Sequence, residues 1–264
     1  MRGNTCRRQR GFTLVELLVV IGIIALLISI LLPALSKAKK QANTVKCLAN
    51  MKQFGNAFVQ YANDWKGVMP FSGWGDQPGG GNLARWPDWL YDASGKITLP
   101  ASGNRFDVKD LKNGALYAYL GVPSLYRCPE DFGPWASVQS QTISSYVMNG
   151  STNNYGNSGD GKVYKITAFR PGDAIVWEIG TTAGSGASND PCNFPWEPIS
   201  ARHQKGTCIL FLDSHAEVWK VDRFNKELNY GPSPLYCVPR AVSKDGGWST
   251  GGQSNSKNNV TFQE

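Results

Sequence analysis

At 264 residues the chain is long enough for one or two domains with a sizeable core. Its 41% hydrophobic and 18% charged residues exclude intrinsic disorder, its 29 glycines lack the three-residue period of collagen, and six cysteines are too few for a disulfide-dominated miniprotein. The net charge of +7 is concentrated around a single apolar run, so it does not imply a basic nucleic-acid face, and one run excludes a polytopic membrane protein.

Arg2, Arg7, Arg8 and Arg10 precede that run, and Lys37, Lys39, Lys40, Lys46 and Lys52 follow it. Removing these nine from the 27 basic residues, and Glu16 from the 20 acidic ones, leaves a nearly neutral 18 against 19. The lysines suit a position at lipid headgroups. From Phe12 to Leu32 the run reads FTLVELLVVIGIIALLISILL, which as a helix spans about 31 Å, one bilayer core. A secretory signal peptide cut near Ala34-Leu35-Ser36 is the simpler alternative. The run is longer than such peptides usually have, however, and Glu16 interrupts it.

A carboxylate at the centre of a membrane helix costs about 2.5–3.5 kcal/mol, so Glu16 calls for a physical account. It fits a first-turn acid favoured by the helix dipole near the headgroups. It also fits pairing with a cation at the same depth, which a cut after Gly11 would create at the amine of Phe12. Such a pair forms better between neighbouring helices than within one. The segment Arg-Gly-Phe-Thr-Leu-Val-Glu-Leu-Leu-Val-Val-Ile at 10 to 21 resembles the amino-terminal signature of type IV prepilins and type II secretion pseudopilins. The resemblance implies that a prepilin peptidase cuts after Gly11 and methylates Phe12. It further implies that Glu16 supports subunit docking and that Pro33 kinks the stalk helix.

Beyond Pro33, the residues Leu35, Ala38, Ala42, Val45, Leu48, Met51, Gly55, Phe58 and Ala62 recur every three or four positions, an apolar stripe opposite a lysine- and asparagine-rich face. One helix of about 50 residues and roughly 75 Å is expected, bent but not ended at Pro33. From Trp65 onward short apolar pieces alternate with Gly, Pro, Asn and Ser. Residues 72–82 and 149–161 are expected as loops and residues 114–120 as a short helix. Strands are expected at Ile143–Met148, Ala174–Ile179, Cys208–Leu212 and Ala216–Lys220, the last two joined by a two-residue turn at Asp213-Ser214.

His203, nine intervening residues and Asp213 resemble a carboxy-terminal segment of a large group of prepilin-like bacterial proteins that usually ends in Asp-Gly-His; here His215 matches and Ser214 replaces the glycine. Tyr-Arg-Cys-Pro at 126–129 and Arg-Pro-Gly-Asp at 170–173 are further pieces of that resemblance. If the turn needs positive φ, Ser214 costs about 1 kcal/mol. His203, Asp213 and His215 lack zinc-protease or zinc-ribbon spacing and read as a hydrogen-bonded hairpin. Residues 149–161 lack the alternating acids of a calcium loop. No nucleophile elbow, phosphate loop or dinucleotide fingerprint occurs. Neither metal nor cofactor is expected, and no enzyme.

Cys6 leaves with the leader. Cys208 opens an apolar strand and reads as a buried thiol, whereas Cys128, Cys192 and Cys237 lie within two residues of prolines and are candidates for a disulfide in an oxidising compartment. The expected fold is α+β and pilin-like: a long membrane-spanning stalk helix packed against a small antiparallel sheet with long loops. Its expected parts are a leader at 1–11, the stalk at 12–63, and a head at 64–264 that contains the 202–220 segment. The reading is a structural subunit of a type II secretion pseudopilus or type IV pilus-like filament. It would be a single-pass inner-membrane protein with an extracytoplasmic head, then part of a periplasmic or cell-surface filament. Its expected partners are prepilin peptidase, other pilin or pseudopilin subunits, the assembly platform and the lipid bilayer, with no nucleic acid. The competing reading is a membrane-anchored extracytoplasmic binding module whose nine tryptophans include glycan-stacking ones.

Overall fold

The computed structural model describes residues 12–72, 88–90, 108–132, 144–153, 163–180, 192–193, 195, 197, 199–229, 233–235 and 237. The chain divides into two compact units, residues 1–42 and 43–264. Helix α1, Leu14–Asp64, continues through Pro33, as expected. All described residues of the first unit are exposed. Leu14, Ile21, Ile24 and Leu31 are among many large apolar side chains there without a cover inside the chain. This stretch is long and apolar enough to cross a membrane, and none of its most apolar window is buried.

In the second unit α1 turns one face into the core through Cys47, Asn50, Met51, Phe54, Gly55, Ala57, Phe58, Tyr61 and Ala62. The expected stripe is buried at Met51, Gly55, Phe58 and Ala62 and packs partly at Leu48, while Leu35 and Val45 are exposed. The buried line runs instead from Cys47 through Asn50 and Phe54, because those side chains face the sheet and its polar centre. Phe54 sits at the middle of an aromatic cluster, edge-on to Trp89 at 5.9 Å, Tyr126 at 5.1 Å and Tyr146 at 5.6 Å.

Five strands form one sheet in the order β3-β1-β2-β4-β5. They are β1 Tyr146–Asn149, β2 Ala174–Glu178, β3 Cys192–Asn193, β4 Gly206–Phe211 and β5 Ala216–Lys220. The sheet is mixed and not purely antiparallel, since β3 pairs parallel with β1 at Met148↔Cys192. Strand alternation explains why β1, β2 and β4 are buried at every position. Tyr146, Met148, Val176, Cys208 and Leu210 join the core under α1, while Val147, Trp177, Ile209 and Phe211 join a second core. Helix α3, Val221–Asn229, covers that second face. Its Val221, Phe224 and Leu228 pack there, with Phe224 edge-on to Trp177 at 5.9 Å. The expected short helix narrows to α2, Tyr117–Leu120. The loops expected at 72–82 and 149–161 fall largely outside the described residues.

The β4–β5 turn is one residue longer than expected. Leu210 pairs with Ala216, and the Phe211 N–H donates to the His215 carbonyl at 3.0 Å, leaving Leu212, Asp213 and Ser214 as the loop. The Ser214 N–H donates to the Phe211 carbonyl at 2.9 Å, and Ser214 takes φ 67°, the left-handed position of a three-residue hairpin. Glycine is the residue this conformation favours. Gly55 of α1 approaches the same serine so closely that an added Cβ would lie 2.8 Å from Ser214 Cβ and Oγ. Gly55→Ala is therefore expected to cost about 1–3 kcal/mol by overpacking, and Ser214→Gly to stabilise by about 1 kcal/mol. Combining the two should recover much of the Gly55→Ala loss, since the obstructing Cβ is gone. Denaturant unfolding of the four proteins checks this; equal losses with and without Ser214 would contradict the contact.

Candidate functional site

Thr13 precedes the first helical residue and caps α1. Its backbone N–H and its hydroxyl both donate to Glu16 Oε2 at 2.8 Å, and the Glu16 N–H donates back to the Thr13 hydroxyl at 3.2 Å. This is a reciprocal capping box, readable as Thr-x-x-Glu before an apolar run but absent from the sequence reading. It places Glu16 in the first turn, where its charge also suits the helix dipole. Both bonds fall on Oε2; among the described residues none falls on Oε1. Phe12 is exposed beside it, and Gly11 lies outside the described residues.

The residues of the carboxy-terminal segment separate. His203 precedes β4 and is buried, whereas Asp213 and His215 follow it and are exposed. Asp213 Oδ1 accepts the His215 N–H at 3.1 Å and faces His215 Nδ1, and His215 stacks flat on Phe211 at 4.2 Å. The Arg170–Asp173 turn docks on this loop: the Leu212 N–H donates to the Asp173 carbonyl and the Asp213 N–H to the Pro171 carbonyl, both at 3.0 Å. Asp213 is thus a turn residue.

His203 belongs to a different constellation, one that sequence spacing did not reveal. Four elements bring together Cys47 of α1, Glu178 at the end of β2, Cys208 of β4 and His203 of the preceding turn. One ligand-type atom of each lies within 4.8 Å of all the others, and all four residues are buried. His203 Nε2 is 3.1 Å from Glu178 Oε1, and the Cys47 thiol donates to that same oxygen at 3.1 Å. The Cys208 N–H donates to Glu178 Oε2 at 2.9 Å. On its far side the imidazole Nδ1 meets the Thr44 hydroxyl at 3.0 Å, and the Tyr146 hydroxyl lies 3.2 Å from Cys47 Sγ. Cys128 Sγ stands 3.4 Å from His203 Nε2.

Burial alone would raise the Glu178 pKa, but the hydrogen bond and charge of His203, with the charge of Arg202, outweigh it and hold the carboxyl at about 2. Burial likewise opposes the charged imidazole, yet Cys128 and Glu178 carry His203 up to about 10. His203 and Glu178 thus each favour the other's charged form inside the core. Burial drives the Cys47 thiol far up, and Cys128 is raised by its contact with Cys47 and by burial. Contact with Cys47 lowers Cys208, but burial and the Glu178 charge push it up to about 11. Such thiols are inert as nucleophiles without a counter-charge.

Among the described residues no disulfide joins Cys128, Cys192 and Cys237, the three candidates, nor Cys47 and Cys208. Cys128 joins the buried centre, while Cys237 Sγ accepts from Asn149 Nδ2 at 3.4 Å and Cys192 lies in β3. Cys208 is fully buried, as its position in an apolar strand implied.

No curated protein and no solved structure matches the chain. The amino-terminal segment is where similarity to known proteins is found. Residues 6–32, spanning Gly11, Phe12, Glu16 and the apolar turns after them, match the family described as the prokaryotic N-terminal methylation motif, characteristic of type IV prepilin-like proteins.

Proposed function

We propose that this chain is a structural subunit, cut after Gly11 and methylated at Phe12 by prepilin peptidase, that assembles with other pilin-like subunits into a type II secretion pseudopilus or type IV pilus-like filament. One observation carries the reading. Directly after Gly11 a capped helix presents apolar side chains all round, with Glu16 its one charged residue before Lys37, and among the described residues the second oxygen of that carboxylate accepts no hydrogen bond. Lipid covers that surface before assembly and sister helices cover it afterwards. The head then lies outside the inner membrane, and the role of the subunit is structural. Of the four described tryptophans, Trp89, Trp177 and Trp219 are core residues unavailable to stack on a sugar, while Trp65 is exposed and stacks on Tyr61.

Maturation is the first test. With prepilin peptidase co-expressed, the wild-type chain is expected to lose residues 1–11 and gain a methyl group, read in its intact mass. Gly11→Ala should leave most of the chain at full length, because its methyl group obstructs the peptidase's access to the scissile bond. Equal cleavage of wild type and Gly11→Ala would contradict the assigned position.

A further inference from the structure

The buried centre of the head has a composition that ordinary core packing does not require. Two thiols, an imidazole and a carboxylate, drawn from four elements, converge where apolar side chains would pack more cheaply. We propose that Cys47, His203, Cys208 and Glu178 form a structural site for a zinc-class divalent metal ion, which fastens α1 to the sheet.

Geometry and chemistry both fit. Tetrahedral zinc with bonds of about 2.0–2.3 Å sets its ligand atoms about 3.3–3.8 Å apart. Here the two contacts to Glu178 Oε1 are 3.1 Å and every pair is within 4.8 Å, so closure onto an ion needs shifts of about 1 Å or less. Sulfur and imidazole donors select zinc over magnesium or calcium, and four protein ligands leave no open position, as in structural and not catalytic sites.

The surrounding groups are those that orient ligands. The Thr44 hydroxyl engages His203 Nδ1, which turns Nε2 toward the centre. The Cys208 N–H fixes one Glu178 oxygen and leaves the other to the metal. The Tyr146 hydroxyl is placed to donate to the Cys47 sulfur, and Asn50 Nδ2 donates in turn to that hydroxyl at 3.4 Å. Two thiolates and a carboxylate exceed the charge of a divalent ion by one; Arg202, whose charge reaches Glu178, pairs with Asp131 at 3.2 Å, and Arg127 shares that carboxylate at 3.8 Å, so the three together carry one net positive charge. Binding replaces the thiol protons of Cys47 and Cys208 and the imidazolium proton of His203, all released to solvent, with no change of oxidation state. Cys128, beside His203, stands just outside the ligand set.

The experiment uses the mature full-length chain in detergent, purified without a metal-affinity step, stripped by chelator under reducing conditions and then reloaded with zinc or cobalt alone. About one zinc ion per chain is expected to survive dialysis, and the cobalt form should show thiolate-to-cobalt charge transfer with intense tetrahedral d–d bands. Cys47→Ser and Cys208→Ser should each lower retained metal about tenfold or more, while Cys237→Ser should not. Chelator should lower the unfolding midpoint of the wild type and of Cys237→Ser, and leave those of Cys47→Ser and Cys208→Ser unchanged. Two results would overturn the site: folded wild-type protein that retains no metal and gives no thiolate–cobalt band, or a Cys47–Cys128 disulfide in unreduced native protein. The cobalt spectrum reads the wild type directly, so the test does not depend on any variant folding.

Discussion

His203→Ala is expected to destabilise the metal-free protein by about 3–5 kcal/mol, because it strands a fully buried carboxylate. Glu178 sits in the core with its Oε1 3.1 Å from the imidazole, and neither group reaches water. The pair is not a large net gain over apolar packing, since desolvating both charges consumes most of their attraction. Losing one member is another matter, for the survivor keeps its desolvation cost without its counterion. A double substitution, His203→Ala with Glu178→Leu, should therefore cost less than the two single changes added together. Denaturant unfolding in chelator-containing buffer reads the pair without metal. A His203→Ala effect below about 1 kcal/mol would show that Glu178 finds compensation elsewhere.

The second large effect concerns assembly. Glu16→Gln keeps a side chain that can serve the capping box with Thr13, yet removes the charge. Filament incorporation is expected to fall about tenfold or more in both Glu16→Gln and Glu16→Ala, with cleavage after Gly11 unchanged. The magnitude follows from leaving a terminal amine uncompensated in a medium where an isolated charge costs about 2.5–3.5 kcal/mol. The two variants separate two roles for one residue. If Glu16→Gln assembles like wild type while Glu16→Ala fails, capping of the helix is what matters and the intersubunit ion pair is wrong.

Much of the fold can be read from the chain because local rules decide it. Ala216–Lys220 is a strand over its expected span, and Ala174–Ile179 is right to within a residue, since β-branched and aromatic residues cluster there. The motif's usual glycine raised the condition of a positive φ at Ser214 without deciding it; Ser214 does take φ 67°, in a turn longer than expected. Helix α3 went unread because only Val221, Phe224 and Leu228 mark its apolar side, at spacings of three and four in an otherwise polar stretch. Strand β3 has two residues, too few for any periodic signal.

The buried centre was illegible for a different reason. Its ligands are dispersed from Cys47 to Cys208, and only the packing of α1 on β2 and β4 unites them. His203 drew attention through its spacing from Asp213, yet the two residues lie on either side of β4 and serve separate purposes. One local clue was available. Glu178 is a lone acid in the run Ala-Ile-Val-Trp-Glu-Ile, and a strand buried at every position must give such a residue a partner.

The central claim is that this chain lives as a trimmed, polymerised subunit. Intact-mass and amino-terminal sequencing of the native protein in sheared, high-speed-pelleted filaments tests it most directly. The expected result is a chain beginning at N-methylated Phe12 and recovered in the pellet with other pilin-like subunits. A native chain that still begins at Met1, or one cut near Ser36 and found only as soluble monomer, would contradict it.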